Sequence, residues 1–257
     1  MTTHHMSSLA LDVTGAVGRL TLARPEKLNA LNRAALEELV SATEWFDSQP
    51  EVKVVIVGGQ GRAFSAGFDL ADHRWLELGP PEESAISGRA MAEAIAGMRA
   101  VTIAAIHGHC IGGGVVLASA CDLRLAGVGA TFRIPEVDLG VPLYWTGIPR
   151  LVREIGPALT KELVLTGRSF GAEEARWIRF VNRVVPDEEL DATASRLAAE
   201  LASKPALVLE VTLRQVEEAS PSVPESDSGA SADAAGFATA IADDECRAAA
   251  SSYRRGP

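Results

Sequence analysis

Three segments of the chain contain residue types that together could stabilise a negative charge and move a proton. Glu136 lies in the mostly apolar segment 133–140, and segment 107–114 ends in three glycines that open a predicted buried helix. Free N–H groups at a helix start favour negative charge. Small residues at 65–67 let another group approach the backbone closely. Together the segments offer backbone donors for an oxyanion and one carboxylate for proton transfer.

Three other motifs are interpreted as structural. Gly59-Gln60-Gly61 lacks the third glycine of a dinucleotide-binding loop, which favours a tight turn. Segment 167–171 matches the G-x-S-x-G pattern of hydrolases, but all five histidines precede it, whereas that order needs a later histidine. His107 and His109 could bind a metal, yet no third ligand has a suitable spacing. We therefore expect no metal and no redox cofactor.

The composition indicates a globular protein that binds neither nucleic acid nor an anionic membrane. The 257 residues include 24 Lys or Arg and 34 Asp or Glu, a formal charge of −10, and 47% are hydrophobic. Nucleic acid would need a local basic face, which the sequence does not offer. Segment 100–121 has no charged residue, but its two histidines and three successive glycines favour a buried strand, loop and helix over a membrane span.

Cysteine usage and the N-terminus predict a cytoplasmic location. The three cysteines, Cys110, Cys121 and Cys246, are odd in number and form no C-x-x-C pair, so a reducing compartment fits best. Residues 1–8 have neither a basic nor an apolar stretch, so no signal peptide is predicted.

The elements that must position these groups alternate between strands and helices, which predicts an α/β fold with parallel pairing. The predicted strands are Leu9–Val13, Val17–Ala23, Val52–Val57, Val101–Ile106, Asp122–Ala126 and Val181–Val185. The predicted helices are one capped by Asn32 that reaches Phe46, one over 86–98, one from Gly113, and those at 148–155, 158–165 and 172–177. After Pro186 only helices are predicted, at 187–203, 206–219 and 237–253, with a loop at 220–236. We place the boundary between core and helical region near residue 190.

Several separated motifs, in order along the chain, resemble the crotonase, or enoyl-CoA hydratase/isomerase, superfamily. They are Arg24–Asn32, Ala63–Leu70, Gly112–Gly114, Ala120–Arg124, Leu163–Gly167, Ala172–Ala175 and Val181–Pro186. The resemblance implies a crotonase-like spiral of β-β-α turns over residues 1–190. It also implies a C-terminal helical region, 191–257, that serves oligomerisation, as a homotrimer or homohexamer.

The resemblance further implies an acyl-CoA or enoyl-CoA substrate of fatty acid metabolism, with coenzyme A as part of the substrate and no separate cofactor. The thioester oxygen becomes an enolate held by the backbone N–H groups of Ala66 and Gly113, and Glu136 is the acid/base. We expect its apolar surroundings to raise its pKa toward neutrality. The implied substrate-binding residues are Lys27, Leu28, Ala30, Phe68, Asp69, Leu70, Ile111, Gly114, Pro135, Leu139 and Tyr144.

The sequence departs from the family pattern at two site positions. Hydratases of the family use a second glutamate, and that position is Val116 here. Tyr144 stands where hydratases have glycine and dienoyl-CoA isomerases have aspartate, although the isomerase pattern Glu136-Val137-Asp138 is present. The expected reaction is therefore double-bond isomerisation or hydration, and the alternative is a catalytically impaired acyl-CoA binding protein of the same fold.

Overall fold

The computed structural model describes residues 2–70, 81–220, 235, 236 and 238–255. The strands are β1 (Thr2–His5), β2 (Leu9–Thr14), β3 (Val17–Leu22), β4 (Val54–Gly59), β5 (Ala63–Ser65), β6 (Val101–Ile106), β7 (His109–Ile111), β8 (Leu123–Gly127), β9 (Thr131–Arg133), β10 (Phe170–Gly171) and β11 (Arg183–Val185). The helices are α1 (Arg33–Asp47), α2 (Pro81–Ala96), α3 (Gly113–Ala120), α4 (Gly147–Thr166), α5 (Ala172–Trp177), α6 (Leu190–Ala202), α7 (Ala206–Ala219) and α8 (Asp244–Arg255). None of the helices within these ranges is long and apolar enough to cross a membrane.

The larger sheet has seven strands in the order β1-β2-β3-β4-β6-β8-β11. The first three strands pair antiparallel, and every pairing from β3 to β11 is parallel. All six residues of β6 are buried, as expected for a central parallel strand covered on both faces. The α/β class and the predicted parallel pairing are confirmed.

The smaller sheet positions the candidate site. Its order is β10-β9-β7-β5, and no strand in it exceeds three residues. Because β5 and β7 pair in parallel, their carboxyl ends lie side by side. The turn after Ser65 and the turn after Ile111 therefore meet at one sheet edge. Strands this short have no visible period in the sequence, and none of the four was predicted.

The helix predictions are confirmed with small shifts. Asn32 caps α1, where its side chain accepts a 2.9 Å hydrogen bond from the Ala35 N–H. Helix α4 is interrupted at Gly156, whose φ of 77° is not helical, so the two helices predicted at 148–155 and 158–165 are present and separated by a kink.

The helical region begins with α6, which packs on one face of the larger sheet. Leu190, Ala194 and Leu197 of α6 are buried in a cluster with strand residues such as Ile56 and Ile103. Helix α7 follows and contains no buried residue. The loop predicted at 220–236 lies mostly outside the described residues.

The chain returns to the core at α8. This helix begins at Asp244, later than the predicted start at 237, and a short helical stretch at 238–242 precedes it. Its first turn lies against the loop that follows Glu136, since a Cβ on Gly140 would overlap the Cys246 carbonyl.

Candidate active site

The two turns at the edge of the smaller sheet are in direct contact. Gly67 has a φ of 80°, and a Cβ there would lie 2.5 Å from the Ile111 carbonyl oxygen and 3.1 Å from the Gly113 nitrogen. Only glycine accommodates both this backbone conformation and this approach. The small residue at 67 therefore serves the close approach that the sequence predicted.

Gly113 begins α3 and presents its N–H at the helix start. The preceding Gly112 donates its own N–H to the Arg133 carbonyl at 2.8 Å, and its carbonyl accepts from Val115 and Val116. The first N–H groups of a helix have no acceptor within the helix, and the helix dipole adds positive potential there. This position at the helix start is compatible with the predicted role of the Gly113 N–H as an oxyanion donor, which stays a prediction.

The backbone N–H of Ala66 is already engaged. It donates to the Leu28 carbonyl at 2.9 Å, whereas the Gly67 N–H donates to the Ser65 hydroxyl at 3.1 Å. This hydrogen bond counts against the role predicted for Ala66, because a thioester oxygen could reach that N–H only after the bond to Leu28 breaks. The sequence motif could not reveal the Leu28 contact, which depends on the tertiary fold.

The Glu136 carboxyl lies against the peptide that precedes Gly113. A Cβ on Gly112 would overlap Oε1 of Glu136 and would lie 3.6 Å from Oε2. Oε2 is completely buried, and no group in the described ranges donates a hydrogen bond to it. Burial raises the pKa of Glu136 to about 7, opposed only weakly by a backbone hydrogen bond, which agrees with the pKa expected from the sequence.

The position of the missing second glutamate is apolar. Val116 lies in α3 and is 1% exposed. A Cβ on Gly147 would be 2.9 Å from Val116 Cγ2 and 2.9 Å from Leu143 Cγ. The position of the missing carboxylate is therefore occupied by hydrocarbon, and among the described residues Glu136 is the one carboxylate that we place in the site.

Trp145 also forms part of the site. Its indole covers Gly113, where a Cβ would be 2.9 Å from Cη2 and 3.2 Å from Cε3, and it contacts Gly88 of α2 even more closely. The Phe68 ring meets it edge-on at 6.2 Å between centroids. Tyr144 is half-buried, with a buried hydroxyl oxygen. The sequence signal for this loop was Tyr144, a bulky residue at a position where hydratases of the family have glycine. Nothing in the sequence indicated that Gly88 contacts Trp145.

The predicted coenzyme A strip is joined to the first turn. Leu31 donates its N–H to the Gly67 carbonyl at 2.7 Å, and the Ser65 hydroxyl donates to the Asn29 carbonyl at 2.8 Å. Asp69, predicted to bind substrate, forms a largely buried ion pair with Arg24 at 2.9 Å. This pairing favours a structural role for the Asp69 carboxylate.

The remaining predicted binding residues divide by their exposure. Lys27 and Leu70 are exposed, Leu28, Phe68, Ile111 and Leu139 are half-buried, and Ala30, Gly114 and Pro135 are buried. The Asp138 carboxylate pairs with Arg133 at 2.7 Å and so does not accompany Glu136.

The alternative motifs are structural in this fold. A His107 ring nitrogen lies 3.0 Å from the Gly61 carbonyl, in hydrogen-bonding contact, and within the described ranges no cluster of three potential ligands could hold a metal ion. Gly167 caps the end of α4, so the G-x-S-x-G segment follows a helix and not the strand that a hydrolase motif requires.

Comparison with known proteins identifies the family. The family model described as enoyl-CoA hydratase/isomerase matches residues 12–255. A probable enoyl-CoA hydratase of Mycobacterium bovis is 38% identical over 208 residues, which cover 78% of this chain and 79% of the relative. The mitochondrial Delta(3,5)-Delta(2,4)-dienoyl-CoA isomerase of Rattus norvegicus is 37% identical over 211 residues, which cover 76% of this chain and 64% of that protein.

The fold comparison agrees. The crystal structure of an enoyl-CoA hydratase from Mycobacterium avium subsp. paratuberculosis superposes with a TM-score of 0.87 at 26% identity, covering 97% of this chain and all of the other. The predicted crotonase-like fold is confirmed. The chain belongs to the enoyl-CoA hydratase/isomerase family and is an enzyme of that family.

Proposed function

We propose that this enzyme moves the double bond of an enoyl-CoA thioester from position 3 to position 2 through an enolate. The observation that carries the proposal is the Glu136 carboxyl, the one carboxylate that the described residues place in the site, which lies against Gly112 and has a pKa raised by burial to about 7. A group with this pKa is half ionised near neutral pH, so it can both remove and return a proton.

The proposed reaction balances with one acid/base. The Glu136 carboxylate removes a proton from the carbon next to the thioester carbonyl, and the electrons pass to the thioester oxygen as the C3–C4 double bond becomes conjugated. The Gly113 N–H stabilises that oxygen, with a second donor from the turn 66–68. Glu136 then returns its proton to C4 while the C2–C3 double bond forms, which leaves the substrate mass unchanged.

Hydration of a 2-enoyl-CoA is the second candidate, because relatives such as the M. bovis protein are named as hydratases. Hydration needs a group that orients and deprotonates water in addition to the acid that protonates carbon. Val116 supplies no such group, and the hydrocarbon of Leu143 lies beside it. Geometry therefore favours the proton shift.

Further parts of the proposal concern binding and assembly. The strip 27–30 binds the coenzyme, and no separate cofactor is needed. The chain assembles as a homotrimer or homohexamer, since α7 exposes apolar side chains that a partner could cover: Leu207 (70% exposed), Val208 (57%) and Val216 (60%). The three free cysteines fit the reducing cytoplasm.

The decisive experiment uses matched 2-enoyl- and 3-enoyl-CoA substrates analysed by chromatography and mass spectrometry. We expect a 3-enoyl-CoA to give an isomer of unchanged mass. With deuterium at C2, the single base predicts that part of the label appears at C4 of the product. A gain of one water from a 2-enoyl-CoA, with no isomer from the 3-enoyl-CoA, would establish the hydratase, and no change in either would refute both reactions.

A further inference from the structure

The backbone of Trp145 adopts a left-handed conformation, which is unfavourable for a residue with a side chain. Its φ is 61° and that of Thr146 is 58°, so two successive residues with side chains occupy the left-handed region. Such residues persist only where the surroundings fix them, and they concentrate at functional sites. The indole is 6% exposed, so the surrounding side chains and backbone determine its position.

Two helices fix the indole through glycines. The pyrrole edge, including Cε2 and Nε1, lies on Gly88 of α2, and the benzene edge lies on Gly113 of α3. A Cβ at either glycine would overlap the ring. Gly88 is buried inside a helix, where glycine is unfavourable relative to alanine, and the contact with Trp145 is the structural reason for it.

The ring therefore borders the space in front of the Gly113 N–H. The turn at Gly67 closes one side of that peptide, since a Cβ on Gly67 would lie 3.1 Å from the Gly113 nitrogen, and the Glu136 carboxyl lies on the adjoining Gly112. A thioester whose oxygen reaches Gly113 and whose C2 reaches Glu136 must direct its acyl chain past the remaining boundary. Among the described residues, that boundary is formed by the indole, together with the Phe68 ring at its edge.

We propose that Trp145 determines the acyl-chain length of the substrate by filling the space between α2 and α3 that a longer chain would occupy. The inference rests on the proposed function, because it places the thioester at Gly113. It predicts that the preferred substrates are short enoyl-CoAs, whose acyl chains extend little beyond the reacting carbons. Longer chains would require the ring to leave both glycines.

The test compares Trp145→Ala with Trp145→Phe and with Phe46→Ala. Phe46 is 0% exposed and packs on Gly18 of β3, so its truncation matches the loss of a buried aromatic side chain without touching the Gly88–Gly113 space. The measured quantity is the ratio of kcat/KM for eight-carbon and four-carbon enoyl-CoAs. Dissociation constants for saturated butyryl- and octanoyl-CoA are measured by calorimetry on the same preparations.

We expect Trp145→Ala to raise the eight-to-four ratio at least tenfold, because one methylene in a hydrophobic pocket changes specificity by about 10- to 200-fold. Trp145→Phe should give a smaller rise, and Phe46→Ala should leave the ratio unchanged. If Trp145→Ala does not fold, Trp145→Phe decides the question. An unchanged ratio in a folded Trp145 variant, or an equal change in Phe46→Ala, would overturn the inference.

The calorimetric arm separates the inference from the proposed reaction. A wild type that turns over no enoyl-CoA but prefers butyryl-CoA, with that preference lost in Trp145→Ala, would sustain the chain-length role while refuting the reaction. Isomerase activity with no change of chain-length preference would sustain the reaction and refute the role of Trp145.

Discussion

Replacing Glu136 by glutamine should stabilise the folded protein relative to the wild type at alkaline pH while strongly reducing its turnover. In the folded protein burial raises the pKa of this carboxyl from its ordinary 4.5 to about 7. The folded state thus binds the proton more tightly than the unfolded state does. The associated stability is fully present below pH 4.5 and is lost as the pH rises through 7.

The size of the effect follows from the two pKa values. Their difference of about 2.5 units corresponds to about 3 kcal/mol over the full range, and about 2.5 kcal/mol of it falls between pH 5 and pH 8.5. Glutamine does not titrate. The free energy of unfolding of Glu136→Gln minus that of the wild type should therefore grow by about 2.5 kcal/mol across this interval.

The assay is urea unfolding of both proteins at several pH values from 5 to 8.5. Other titrating groups cancel in the difference, so only Glu136 contributes to its slope. In parallel, wild-type kcat/KM should rise with an apparent pKa of about 7, since the carboxylate is the active form. A difference in unfolding free energy that stays constant with pH would show that the carboxyl is solvated in the folded protein and would refute the reasoning.

Four further outcomes are expected. Glu136→Gln should lower turnover at least about a hundredfold with little change in coenzyme A affinity, and comparable activity would remove Glu136 from the mechanism. Val116→Glu should gain measurable hydration of crotonyl-CoA at reduced thermal stability, because a carboxylate enters an apolar position; a folded variant without gain would identify Tyr144 as a further block. Gly113→Pro, which removes the N–H, should reduce turnover about a hundred- to a thousandfold relative to Gly113→Ala. Gly113→Ala is the control, because its Cβ meets the Trp145 ring in the same way but its N–H remains. Equal activities of the two variants would exclude Gly113 as the donor. Light scattering at micromolar concentration should give the mass of a trimer or hexamer, and a monomer would contradict the assembly proposal.

Sequence reasoning succeeded where the signal was local. The six-residue strand Val101–Ile106 is uncharged and rich in β-branched residues, and it was predicted with its observed bounds. The cap at Asn32 needs only a side chain that reaches three residues along the chain. The direction of the Glu136 pKa shift was also expected from its mostly apolar segment, although the burial that causes the shift includes the contact with Gly112.

It failed where the decisive contact joins distant segments. The strands at 63–65 and 109–111 pair only with each other and with similarly short partners, so neither has a period of its own. The hydrogen bond from the Ala66 N–H to Leu28 and the contact of Trp145 with Gly88 on another helix also have no local signal, and the role of Ala66 stays a prediction. Each of these contacts depends on tertiary packing that no single-segment pattern encodes.

The apolar residues of the candidate site affect both the pKa of Glu136 and the choice of reaction. The Trp145 indole covers Gly113 with hydrocarbon, and Val116 and Leu143 pack against Gly147 in the adjoining part of the candidate site. A dry surrounding destabilises the carboxylate of Glu136, which raises its pKa, and it strengthens the interaction of the Gly113 N–H with a developing enolate. Neither Val116 nor Leu143 offers a polar group that could hold an attacking water. On the proposed mechanism, the apolar surroundings that raise the pKa of Glu136 therefore also disfavour hydration, so the raised pKa and the proposed proton shift would share a single cause.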